Sequence, residues 1–220
     1  MALLTAEIKA ILEDPNGLVN FSNPSGVKPI TTSTGDAIVE NSYTKNRLTV
    51  DSDNKTITIT RVAADTTDNN CVDIHTIDAV SAIGPVKIPG YVYTGNFSGC
   101  VFYLYKTGVD EVTGVHAYNG YVNKGVKPFF GKPKITRVVH EFGPKDYYKR
   151  NIGTKICRYP TRGELQLGAV IGDPTAENSL NYLSCVEKTR ATTFLFSFQS
   201  GDASKGARVG RLLATHVKDF

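Results

Sequence analysis

The chain has no tryptophan, no CxxC pair, no block of consecutive basic residues and no apolar run approaching 18 residues. Each absence excludes something. Without a long apolar run there is no candidate transmembrane helix. Without CxxC spacing, the widely separated Cys71, Cys100, Cys157 and Cys185 do not read as a zinc knuckle. Without a Lys/Arg block, a formal charge of +4 does not suggest a nucleic-acid surface. The nearest cluster, "KDYYKR" at 145–150, reads as a solvated face. The opening "MALLTAEIKAILEDPNG" lacks the basic start and apolar run of a signal peptide. "KGARVGR" lacks the spacing of a phosphate loop, so Gly206 and Gly210 carry no nucleotide reading. No internal repeat or bland linker divides the chain, and residues 1–220 are expected to form one domain.

What is present is enough for a core. Hydrophobic residues make up 40% of the chain, and 11 tyrosines and 10 phenylalanines supply the large side chains. Leu4, Ile8, Ile11 and Leu12 recur at helical spacing until "DPNG" stops the run. Residues 22–46, rich in Ser, Thr, Asn, Gly and Pro, read as loops with short strands at most. The period then changes to two. "RLTVDSDNKTITITRV" reads as a hairpin that turns at 51–54. "CVDIHTIDAV", "VYTGNFSGCVFYLY", "VHAYNGYV", "KITRVVHEF", "LQLGAVIG" and "TTFLFSF" are further strand candidates. "TAENSLNYLSCV" at 175–186 reads as a helix with Leu180 and Leu183 inward, and 209–217 fits strand or helix. With no regular βα alternation, the expected class is mainly β (α+β): an antiparallel β-sandwich-like single domain with one or two short peripheral helices.

Within that frame one pair carries chemistry. Cys100 follows Ser98-Gly99, and His116 returns after "KTGVDEVTG", which reads as a loop. The midpoint of the pair is residue 108, so a symmetric hairpin sets the two opposite each other, with Cβ atoms about 5 Å apart. A free thiol, with a pKa of about 8.5, needs a nearby imidazolium to become a thiolate at neutral pH. The same imidazole can protonate a leaving amine or ammonia. Gly99 gives a substrate room, and Ser98 or the Cys100 N–H can face a developing oxyanion. The structural alternative is a small core cysteine and a surface histidine.

"YTGNFSGC" followed by a histidine on the next strand resembles the Leu-Ser-Gly-Cys signature of the cytotoxic necrotising factor and Burkholderia lethal factor family of bacterial glutamine deamidase toxins. Phe97 stands where that family has leucine, and Thr94 stands six residues before the cysteine. The resemblance implies that Cys100 is the nucleophile, His116 the base and acid, and Thr94 an orienting residue through its backbone carbonyl. It implies a host protein substrate, of the GTPase or translation-factor class, in which a glutamine becomes glutamate. It also implies a toxin held in the bacterial cytoplasm before export and then secreted or injected into the host cytosol. No cofactor, metal, nucleic acid or membrane partner is expected, and the protein is expected to be a monomer. Two other readings stand beside it: a cysteine protease, and a non-catalytic β-sandwich binding or adhesion module.

Other residues carry weaker readings. Cys71 and His75 share a face but lack partners for a metal site, and Asp73 or Asp78 can assist a histidine. His140 with Glu141 reads as a surface pair, and Cys157 and Cys185 as structural thiols. Tyr91, Tyr93 and Tyr118 fit either the mouth of a cleft or the sheet core, and "TTSTG" at 31–35 a loop near its rim.

Overall fold

The computed structural model describes residues 3–22, 38–39, 42–63, 65–76, 81–97, 100–117, 121–123, 137–139, 154–159, 176–199 and 207–220. Its only helix among these is α1, Thr5–Glu13, which buries Ile8, Ile11 and Leu12. None is long and apolar enough to cross a membrane.

Eight strands close into a barrel. They are β1 (Leu18–Ser22), β3 (Tyr43–Asp51), β4 (Thr56–Arg61), β5 (Cys71–Ile74), β7 (Gly90–Phe97), β13 (Ala176–Val186), β14 (Arg190–Gln199) and β15 (Ala207–Asp219). Around the wall the order is β1-β15-β14-β13-β7-β5-β3-β4. A second sheet runs β12-β8-β9-β6-β2, from β2 (Ile38–Val39), β6 (Ser81–Lys87), β8 (Val101–Gly108), β9 (Glu111–Ala117) and β12 (Thr154–Tyr159). β10 (Tyr121–Asn123) and β11 (Arg137–Val139) make a separate two-stranded pair. The single, mainly β domain is as expected, and its two layers are a barrel wall and a sheet laid against it. Most pairings are antiparallel; β1–β4, β5–β7 and β2–β6 are parallel.

Alternation along the strands builds two cores. Tyr91 and Tyr93 of β7, Leu183 and Cys185 of β13, and Phe194, Phe196 and Phe198 of β14 face the barrel interior, where α1 adds its buried face. Their neighbours Val92, Tyr182 and Leu195 face outward and pack with Phe102, Leu104 and Val112 of the second sheet. Of the segment 175–186 read as a helix, the described part, Ala176–Val186, is instead the strand β13. β13 lies inside the barrel wall, between β7 and β14, and is covered on both faces. A strand buried on both sides loses the polar–apolar alternation that marks a half-exposed one. Residues 209–217 are strand, within β15.

Two glycines set the distance between the layers. Gly84 of β6 and Gly114 of β9 are direct partners. A Cβ on Gly114 would come within 2.6 Å of Ile74 Cδ1 and Val92 Cγ1, and one on Gly84 within 2.8 Å of Val72 Cγ2. The missing side chains let β6 and β9 settle directly onto β5 and β7.

Candidate functional site

Thr94 lies on the outward face of β7 and is fully buried. Its backbone neighbour in the parallel register is Ile74. His116 occupies the middle of the second sheet, between Ala82 and Phe102, and is 1% exposed. The close approach of the layers brings Thr94 Oγ1 to 2.8 Å from His116 Nδ1. The same hydroxyl donates to the Ile74 carbonyl at 3.1 Å.

Those two contacts fix a tautomer. The hydroxyl has one proton, and a carbonyl can only accept. With that proton on Ile74, Thr94 Oγ1 accepts from Nδ1–H of His116. Nε2 then carries the lone pair, as a general base requires. Nε2 is buried and has no hydrogen-bond partner. Phe97 stacks on the imidazole, with ring centroids 3.9 Å apart at 15°, and meets Tyr182 and Phe102 edge-on. Burial pulls the His116 pKa down to about 3, so the ring is neutral near neutral pH. It holds no charge with which to stabilise a resting thiolate.

Two expectations need correction. Thr94 orients His116 through its hydroxyl rather than its backbone carbonyl. The backbone of β7 runs in the ladder between β5 and β13, whereas the side chain projects towards β9. Cys100 and His116 are also not directly opposed. Val101 pairs with Ala117 and Phe102 with His116. The hairpin turns at Val109 and Asp110, and most of the segment read as a loop is strand. Thr107 supports the pairing by hydrogen bonds to Glu111 and Thr113. A register shift between Lys106 and Gly108 completes the turn. Continued past Val101, this register carries Cys100 two positions beyond His116, to a diagonal place. Diagonal neighbours lie about 7–8 Å apart.

Cys100 is half-buried just before β8 and packs on the cluster containing Phe97 and Phe102. It thus sits on the same side of the sheet as His116. Ser98 and Gly99 lie outside the described residues, as do Asp78, Tyr118, His140, Glu141, Gly206 and residues 31–35 and 145–150.

The remaining candidates separate from this site. Tyr91 and Tyr93 belong to the barrel core, on the opposite face of β7, and Tyr91 accepts a hydrogen bond from Leu4 N–H at 3.1 Å. Cys71 and Cys185 are buried in the same interior. They lie on the two strands flanking Tyr91, so their Cα atoms are about 9.5 Å apart, too far for a disulfide. None of the four cysteines is disulfide-bonded. Among the described residues no three His, Cys, Asp or Glu side chains come together as metal ligands.

Neither Ile74 as the acceptor that commits the Thr94 proton nor Phe97 as the stacking partner of His116 is legible in local sequence. Both depend on pairings between distant strands.

No family model matches the chain, and no curated protein or solved structure is significantly similar to it.

Proposed function

We propose that the protein is a cysteine-dependent protein-glutamine deamidase, acting on a host protein as a bacterial toxin or effector. The observation that carries this reading is the Thr94–His116 hydrogen bond, which leaves the lone pair on an unpartnered Nε2, on the side of the sheet where Cys100 lies. The motif around Cys100 supplies the choice of carboxamide as substrate.

In this reading a shift of a few ångströms brings Cys100 Sγ to Nε2 as substrate binds. Nε2 takes the thiol proton, and the sulfur attacks Cδ of a glutamine side chain. The C–N bond breaks as the imidazolium returns its proton to nitrogen, and ammonia leaves. Water, deprotonated by Nε2, then attacks the thioester. Cys100 regains its proton, and the product is glutamate. Thr94 holds the ring in the tautomer that both steps use.

A second reading has an observation of its own. A histidine 1% exposed and stacked on Phe97 is also what a non-catalytic β-module would bury. Incubation with eukaryotic cell extract separates the readings. A deamidase releases ammonia and converts a specific glutamine to glutamate, seen by mass spectrometry, and loses both with Cys100→Ala or His116→Ala. Cleaved peptide bonds point to a protease, and an unchanged extract to the binding module.

A further inference from the structure

In the proposed reaction His116 takes up a proton in a place that disfavours charge. Its side chain is 1% exposed, and burial is what depresses its basicity. Among the described residues no charged side chain shifts it. The groups gathered there are Thr94 and Phe97 of β7, Phe102 of β8, Tyr182 of β13 and the half-buried Cys100. An imidazolium formed at His116 therefore has no counter-charge among the described residues. Whatever favours it must come from dipoles and ring faces.

Thr94 supplies the dipole. Its Oγ1 lies 2.8 Å from Nδ1, and that bond strengthens once the ring is cationic. Phe97 supplies the ring face. Its centroid lies 3.9 Å from that of the imidazole, with the planes 15° apart, so the two rings overlap face to face. The face of a benzene ring is the negative pole of its quadrupole. A cation within about 6 Å of the centroid is attracted to it, most strongly in a dry site. The neutral imidazole gains less from that face than the imidazolium does. The contact is therefore of the kind that aids a reaction step, stronger after the proton moves than before.

The Phe97 ring is fixed in advance. Tyr182 meets it at 89° with centroids 5.0 Å apart, and Phe102 at 65° and 6.3 Å. Tyr159 stacks on Phe102 at 5.3 Å and accepts a hydrogen bond from Thr193. The Phe97 backbone pairs with Leu180 in the β7–β13 ladder. A face held in this way needs no reorganisation when charge appears. An aliphatic side chain would fill the same space and offer no such face.

We propose that Phe97 is a positioning residue whose ring face supports the imidazolium of His116 that forms as Nε2 takes the Cys100 proton. Its part in turnover rests on the deamidase reading; the contact with the imidazolium does not.

The test replaces Phe97 in the full chain by mono-, di- and trifluorophenylalanine, which drain charge from the ring face and nearly keep its shape. The first readout is the His116 pKa, from a titration of its imidazole 15N signals. It should fall stepwise, by about one pH unit across the series, a tenfold loss of proton affinity. The second is iodoacetamide alkylation of Cys100 at neutral pH, in which the sulfur displaces iodide as its proton passes to Nε2. Its rate should fall in the same order, by about tenfold at most. Where acid unfolds the protein before His116 titrates, the alkylation series decides alone. A pKa that stays constant or rises with fluorination overturns the proposal and leaves Phe97 a packing residue. Alkylation slowed by His116→Ala but indifferent to the fluorines also overturns it, with the Cys100–His116 pair intact. A falling pKa with alkylation indifferent to His116→Ala overturns the pair instead and keeps the Phe97–imidazolium contact.

Discussion

Thr94 Oγ1 lies 2.8 Å from His116 Nδ1, across the join between barrel and sheet, and its own proton is committed to the Ile74 carbonyl. One hydroxyl thus settles which imidazole nitrogen is basic. Thr94→Val removes it and leaves Nδ1 buried without a partner. The expected cost is about 1–3 kcal/mol of stability. The imidazole 15N signals should change from a single Nδ1–H tautomer to a mixture. Thr94→Ser keeps the hydroxyl and should keep the tautomer. A wild-type ring protonated at Nε2 would refute the assignment.

Two groups, the buried His116 and the half-buried Asp73, make opposite demands on pH. His116 falls from 6.5 to about 3 on folding, so its neutral form favours the folded state above pH 6.5, and that stability is lost as pH falls towards 3. Asp73 rises from 3.8 to about 7, so its protonated form favours the folded state below pH 3.8, and that stability is lost as pH rises towards 7. Near pH 5 the unfolded chain carries a proton on His116 and the folded chain one on Asp73. Their contributions to the pH slope cancel. Relative to wild type, Asp73→Asn should lose about 1.4 kcal/mol per unit as pH falls from 6 to 4.5, and His116→Gln should gain as much. Urea melts of the three proteins across this range measure it. Parallel stability curves would show that neither group is shifted.

The glycine pair between the layers is a third point of test. Gly114→Ala puts a methyl against Ile74 and Val92, beside the β5–β7 segment that holds Thr94. Overpacking of this kind costs about 1–3 kcal/mol. It should also lift β9 and weaken the Thr94–His116 bond, visible in the same 15N spectrum. Wild-type stability with an unchanged tautomer would show that the layers do not meet as closely as described.

The thiols should divide by depth. Cys71 and Cys185 are sealed in the barrel, and burial pushes the thiol of Cys185 up to about 12 and that of Cys157 up to about 11. Native protein under mild oxidation should form no intramolecular disulfide, and all four thiols should titrate after unfolding. A Cys71–Cys185 bridge found by peptide mapping would contradict the strand order.

Much of the fold is written in local pattern. Helix α1 and the β3–β4 hairpin follow from periods of 3.6 and two, because each has one face against the core and one in solvent. β13 was illegible because both its faces are covered. The site is divided in the same way. Thr94, Cys100 and His116 stand out by type and spacing, yet their geometry depends on non-local facts. The Thr94 hydroxyl, not its carbonyl, faces β9 because β7 sits within the wall. The turn at Val109 and Asp110 moves the centre of the β8–β9 pairing from residue 108 to residue 109, which shifts Cys100 two positions along the partner strand.

The most direct measurement is the rate of iodoacetamide alkylation at Cys100 in native wild type and His116→Ala, mapped by mass spectrometry at several pH values. If His116 Nε2 takes the Cys100 proton as the sulfur attacks, the wild-type thiol is alkylated faster than Cys157 with no thiolate standing at rest, and His116→Ala slows it by roughly tenfold or more while leaving Cys157 unchanged. Equal rates in the two proteins, or labelling of Cys100 only after unfolding, would contradict the catalytic pair and leave a buried structural histidine in its place.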